Sequence, residues 1–230
     1  MQGGAFRARK RDIKMYKIVI FDLDGTLANT IDDLADATNV GLTKAGLPTH
    51  PVEKYKQMVG SGIVNLVKRA MKPVEDEKVF EIVKNGFDEY YKEHSIDKTS
   101  AYEGTEELLN ELSKRGIETA VLSNKPDEFV AKILKKIFPN HTFACAWGKK
   151  PEYNIKPNPE ALYAILSLTG FDKDECIYVG DSNVDCFTAQ NAGVKCCGVS
   201  WGFRGREELE NAGADEVIDE PLQLIGKFGL

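Results

Sequence analysis

Four short stretches of this 230-residue chain carry residue types that can do chemistry together. In chain order they are Asp22-Leu23-Asp24-Gly25-Thr26, Ser123-Asn124-Lys125, Lys156-Pro157 and Gly180-Asp181-Ser182-Asn183-Val184-Asp185. Two carboxylates brought together from distant segments repel unless a cation lies between them. Hard oxygen ligands with room for water suit Mg²⁺. Asp22 and Asp181 are the expected pair, and a cation there keeps Asp22 ionised and able to act as a nucleophile. Asp24, two residues on, can give a proton to a leaving oxygen and afterwards take one from water. Gly25 lets the main chain approach an oxyanion closely. The Ser123 hydroxyl, the Asn124 amide and the Lys156 ammonium can hold the other phosphoryl oxygens and offset developing charge. Asp185, one helical turn beyond Asp181, is placed to orient Lys156 or a water on the cation.

Strands must deliver these groups. Lys17-Ile-Val-Ile-Phe-Asp22 is a continuous β-branched and aromatic run, the mark of a strand buried on both faces. Similar runs cover Ile117–Leu122, Phe143–Trp147, Cys176–Val179, Lys195–Val199 and, more weakly, Glu216–Ile218. Helical patterns lie between them: Glu106–Arg115, Pro126–Ile137 with Pro126 as its first residue, Pro159–Leu168 and Val184–Ala192. Gly116, Gly170 and Gly193 follow as stop signals. This alternation predicts an α/β fold with a Rossmann-like, mainly parallel sheet. An isolated Asp-x-Asp is most often a cap or turn. Four such stretches, each at a strand end, point instead to convergence along one sheet edge, where open α/β sheets bind ligands.

From Thr30 to about Thr99 no strand is read. Ile31, Leu34, Ala35, Thr38, Leu42 and Ala45 follow helical spacing, and further helices are read over Ile63–Met71 and Glu75–His94. Seventy helical residues exceed an ordinary crossover. They are read as an all-helical cap domain at 30–99, inserted in a core of 15–29 and 100–230.

Residues 1–14 carry +4 of charge, so the rest of the chain stands at −10 against a total of −6. This basic leader, ahead of Met15, is expected to be disordered and dispensable. No apolar run reaches the ~18–20 residues of a membrane span. The acidic balance argues against nucleic acid as a partner. Five cysteines, irregularly spaced and without a C-x-x-C pair, read as reduced core thiols of a cytoplasmic protein. Lys125 is read as a solvated lysine at a helix start, with a substrate carboxylate as the alternative. Trp201, Phe203 and Arg204 either border the site or pack elsewhere, and Gly60 and Gly62 either shape a substrate loop or simply join helices.

Asp-Leu-Asp-Gly-Thr-Leu, Ser-Asn-Lys, Lys-Pro-Asn-Pro and Gly-Asp-Ser-x-x-Asp together resemble the four motifs of the haloacid dehalogenase superfamily. The resemblance runs from Tyr16 to the C-terminus and is strongest to the phosphoglycolate phosphatase-like branch. It implies Asp22 as the aspartyl-phosphate nucleophile and Asp24 as the general acid and base. It further implies Ser123 and Lys156 on phosphate, and Mg²⁺ on Asp181, the Asp22 carboxylate and the Asp24 main-chain carbonyl. Gly25, Thr26 and Asp185 support them. Asp24 stands where dehalogenases lack an acid, which disfavours halide displacement. The stretch Met58–Ile63 is uncharged where the family's sugar phosphomutases carry basic residues, which favours a phosphatase on a small phosphorylated metabolite. A β-phosphoglucomutase-like phosphotransferase, a pyrophosphatase and a 5′-nucleotidase are the alternatives within the superfamily. A non-enzymatic phosphometabolite-binding protein is disfavoured by the intact acid pair. Oligomeric state is not legible.

Overall fold

The computed structural model describes residues 16–230, and the basic leader expected at 1–14 lies outside them. Strand β1 (Ile18–Phe21) leads through a short β2 (Ala28–Asn29) into four helices: α1 (Ile31–Lys44), α2 (Val52–Tyr55), α3 (Ile63–Ala70) and α4 (Glu77–His94). The chain returns through β3 (Ser100–Ala101) and α5 (Thr105–Lys114) to β4 (Glu118–Pro126). Alternation then resumes with α6 (Asp127–Ile137), β5 (Cys145–Lys149), α7 (Glu160–Thr169), β6 (Cys176–Gly180) and α8 (Asn183–Ala192). It ends with β7 (Lys195–Val199), α9 (Arg206–Asn211), β8 (Glu216–Ile218) and α10 (Gln223–Phe228).

Six strands form one parallel sheet in the order β5-β4-β1-β6-β7-β8. Side chains alternate between its faces. Val19 and Phe21 pack with Leu109 and Ile133 on one side, while Ile18 and Ile20 pack with Leu162 and Ile165 on the other. Every residue of β1 is therefore buried, as its unbroken apolar run requires. Phe21 lies opposite Val121 and Val179. One or two residues further along each strand come Asp22, Ser123 and Asp181, so the register alone brings three of the four stretches to one edge.

The helices between β2 and β3 enclose a separate apolar cluster that includes Leu34, Leu42, Tyr55, Phe87 and Tyr91. Phe129 and Phe203, from the sheet-bearing part, complete it. The two connecting segments are tied together. β2 and β3 pair antiparallel, and the buried Asp33 carboxylate accepts hydrogen bonds from Lys98 N, Thr99 N and Thr99 Oγ1 at 2.7–3.2 Å. The sequence periodicity does not reveal this two-residue pair, because strands so short carry no period.

β4 also runs further than Leu122. Its pairing shifts register between Leu122 and Pro126, so Ser123-Asn124-Lys125 belong to an irregular strand end. Pro126, expected as the first helical residue, keeps an extended ψ of 140° and precedes α6. The proline ring fixes φ but not ψ, so it suits either position. Of the five cysteines, all free, four are buried and Cys145 is half-buried. No helix among the described residues is long and apolar enough to cross a membrane.

Candidate active site

Asp22 leaves β1 with its N–H donated to Val179 O and its carboxylate almost fully buried. Its Oδ1 lies 2.8 Å from Lys156 Nζ. That ammonium also donates to Asp185 Oδ1 at 2.7 Å and to Tyr178 Oη at 2.9 Å, which takes up its three donors. Asp185 is fixed in turn by a capping box at the start of α8. Its Oδ2 accepts from Ser182 N at 3.1 Å and Ser182 Oγ at 2.7 Å. Asp185 thus holds Lys156, one of the two partners expected for it. Tyr178, not singled out from the sequence, braces this ammonium from within β6.

Asp181 accepts one hydrogen bond, from Phe203 N at 2.7 Å. Oxygens of Asp22, Asp181 and Asp185 can come within 4.8 Å of one another. Two glycines make this crowding possible. A Cβ on Gly25, whose φ is +90°, would sit 2.2 Å from Asp181 Oδ2. One on Gly202 would sit 2.2 Å from Asp181 Cβ and 2.5 Å from the Gly25 carbonyl oxygen.

Asp24 is held from two sides. Thr30 Oγ1 donates to its Oδ1 at 2.6 Å, and Lys125 Nζ lies 2.9 and 3.1 Å from its two oxygens. Thr30 occupies the N-cap position of α1 yet makes no capping bond, because its hydroxyl is spent on Asp24. Lys125 is not the solvated lysine of the sequence reading. Its side chain is 2% exposed, and its ammonium lies 5.1 Å from the ring centre of Tyr91 on α4.

The Asn124 amide is also committed. Its Oδ1 accepts from Lys156 N at 2.8 Å, while Nδ2 donates to Lys156 O at 3.1 Å and to Gly60 O at 3.0 Å. Its side chain therefore positions Lys156 and the loop before α3. The Ser123 hydroxyl accepts from Lys125 N at 3.3 Å. Thr26 is buried, and its carbonyl accepts from Trp201 Nε1 at 3.1 Å. Arg204 Nη2 donates to Val59 O at 2.8 Å, and Arg69 donates to Met58 O at 2.6 Å and Ser61 Oγ at 3.0 Å. Two guanidiniums thus pin a loop that contains no charge of its own. Folding back from α3, Arg69 reaches a position its sequence distance does not suggest.

These groups surround a narrow cleft, lined by Asp22, Asp24, Ser123 and Lys125 below and by Gly60 and Ile63 above. Three carboxylates, Asp22, Asp24 and Asp185, pair with the buried ammoniums of Lys125 and Lys156, and Asp181 has only the more distant Arg204 guanidinium, so negative charge outnumbers positive. Burial pushes the Asp22 carboxyl up to about 7; Lys156 opposes the rise, while Asp185 and Asp24 add to it. Burial, then Asp185 and Asp22, hold Asp181 well above the usual carboxylate range. Asp185 already spends its oxygens on Lys156 and Ser182, so Asp22 and Asp181 keep lone pairs for a cation. A hard divalent ion fits this donor set and would supply the missing charge.

A family model described as haloacid dehalogenase-like hydrolase matches residues 19–199. The chain belongs to this family. Among haloacid dehalogenase-like relatives, a phosphoglycolate phosphatase of Pseudomonas syringae pv. tomato is 33% identical over 92% of this chain and 79% of its own length. One from Haemophilus influenzae is 31% identical over 91% of this chain and 97% of its own. A crystal structure from Lactobacillus delbrueckii subsp. bulgaricus, provisionally described as a phosphoglycolate phosphatase, superposes with a TM-score of 0.88. It is 31% identical and covers 93% of this chain and 98% of that one.

The charge imbalance has a measurable consequence. An acid whose folded-state pKa is raised keeps its proton in the folded protein while the unfolded chain has lost it. For Asp22, stability therefore falls as pH rises from about 4 to about 7. Thermal melts in EDTA should show this loss. Added Mg²⁺ should raise the melting temperature by several degrees at pH 8 and far less at pH 5. An equal Mg²⁺ shift at both values would contradict the cation site.

Proposed function

We propose that this chain is a Mg²⁺-dependent phosphomonoesterase of the cytoplasm. Its substrate is a small phosphorylated metabolite of the phosphoglycolate type, cleaved through an aspartyl-phosphate on Asp22. The observation that carries the reading is the placement of Asp22. It is a buried carboxylate with one oxygen fixed by Lys156, opening on a cleft beside a second free carboxylate, Asp181. The names of the relatives support the ester class.

Asp22 attacks phosphorus with the oxygen that Lys156 does not hold. Asp22, Asp181 and the Asp24 main-chain carbonyl would hold Mg²⁺, which would supply positive charge against which anionic nucleophile and anionic substrate can meet. Ser123 donates to a phosphoryl oxygen, and Lys156 stabilises charge shared between Asp22 and the group it accepts. Asp24, steadied by Thr30 and Lys125, gives its proton to the leaving oxygen and later takes one from the attacking water. Residues 30–99 act as a cap: closing over the cleft, they exclude bulk water and select the leaving group. Asn124 and Arg204 reach across to the loop that this cap presents.

A panel of phosphorylated metabolites with Mg²⁺, read as kcat/KM, tests the proposal. The expected result is phosphate release that is strongest for phosphoglycolate or a similarly small ester. Phosphate transfer between sugar phosphates without release would overturn it.

A further inference from the structure

Resting on the phosphatase reading above, we infer that Lys125 is the carboxylate-recognising residue of the site. It restricts efficient substrates to phosphate esters whose leaving oxygen sits one carbon from a carboxylate. The ammonium lines the cleft and touches both oxygens of Asp24, the group that must reach the leaving oxygen. In P–O–CH₂–COO⁻ the leaving oxygen and the nearer carboxylate oxygen lie roughly 3 Å apart by ordinary bond lengths. Asp24 to leaving oxygen is a hydrogen-bond distance, and Lys125 to Asp24 is another. A carboxylate at that spacing therefore closes a ring of three contacts, Asp24 to leaving oxygen, Asp24 to Lys125 and Lys125 to carboxylate, with the substrate's own bonds as its fourth side.

Charge points the same way. A carboxylate entering beside Asp22 and Asp24 meets like charge and needs a cation of its own. Among the described residues lining the cleft, Lys125 is the one cation, because Lys156 is turned to Asp22, Asp185 and Tyr178. The cap loop opposite offers Gly60, Gly62 and Ile63, none of them charged. Lys125 is also fixed in place, packed against Tyr91 and nearly fully buried, so little rotamer freedom is lost when it meets an anion.

The test compares phosphoglycolate with 2-hydroxyethyl phosphate, which has the same length but a neutral hydroxymethyl group in place of the carboxylate. In the wild type, kcat/KM should favour phosphoglycolate by about 10–100-fold, the range of one charged hydrogen bond. In Lys125→Met both values can fall, but their ratio should collapse by at least about tenfold, and Lys125→Arg should recover part of it. If Lys125→Met does not fold, Lys125→Gln and the wild-type ratio decide. A wild-type ratio near one, or a ratio unchanged while both esters slow together, would reduce Lys125 to a counter-ion of Asp24 and overturn the inference. The phosphatase reading would survive either result. Hydrolysis of neither ester, nor of any other in the panel, would instead remove that reading.

Discussion

Replacing Asp22 by asparagine should lower kcat/KM by about 10⁴-fold or more, the scale of losing a nucleophile. The side chain keeps its shape, so packing around β1 is undisturbed. What disappears is the oxygen proposed to attack, together with one of four clustered carboxylates. Because burial already works against that charge, the variant should melt no lower than the wild type in EDTA. Mg²⁺ should stabilise it less, since one of the two free carboxylates is gone. Full stability with lost turnover separates a chemical role from a structural one. Residual activity within a hundredfold of wild type, on the scale where each factor of ten is about 1.4 kcal/mol, would contradict the nucleophile assignment.

Lys156→Met should damage both activity and fold. The ammonium is buried among Asp22, Asp185 and Tyr178, and its loss strands two carboxylates away from water. Removing one partner of a buried ion pair costs about 3–5 kcal/mol, which urea unfolding would report directly. Turnover should fall by about 10³-fold, because Asp22 loses its orientation and the transferring group loses a cation. Adding Asp185→Asn to Lys156→Met removes one of the stranded charges. The double variant should regain part of the lost stability and none of the lost activity. Equal recovery of both would mean that Lys156 acts only through the fold.

The sheet and its edge were legible because each strand is a local feature. Apolar runs ending on Asp22, Ser123 and Asp181 mark buried parallel strands, and the register then follows from packing. Side-chain destinations were less legible. Lys125 looks like a surface lysine because the partner that makes it a buried one, Asp24, lies 101 residues away. The Asn124 amide suits a phosphate on paper, yet the approach of Lys156 and Gly60 uses both its hydrogens. Thr30 carries no signal of its own in the sequence, and only the fold brings Asp24 to its hydroxyl. Tyr178 is indistinguishable in sequence from its apolar neighbours in β6, because a strand pattern does not say which side chain ends in a useful hydroxyl. Asp185 was more accessible: a Ser-x-x-Asp spacing announces a capping box, and that box aims its other oxygen at Lys156.

In the proposed reaction the phosphoryl group passes through Asp22 before it reaches water. Each in-line transfer inverts the configuration at phosphorus. Hydrolysis of an isotopically chiral phosphate ester in labelled water should therefore proceed with overall retention, the result of two successive inversions. Inversion would mean that water attacks the substrate directly, and it would contradict the account.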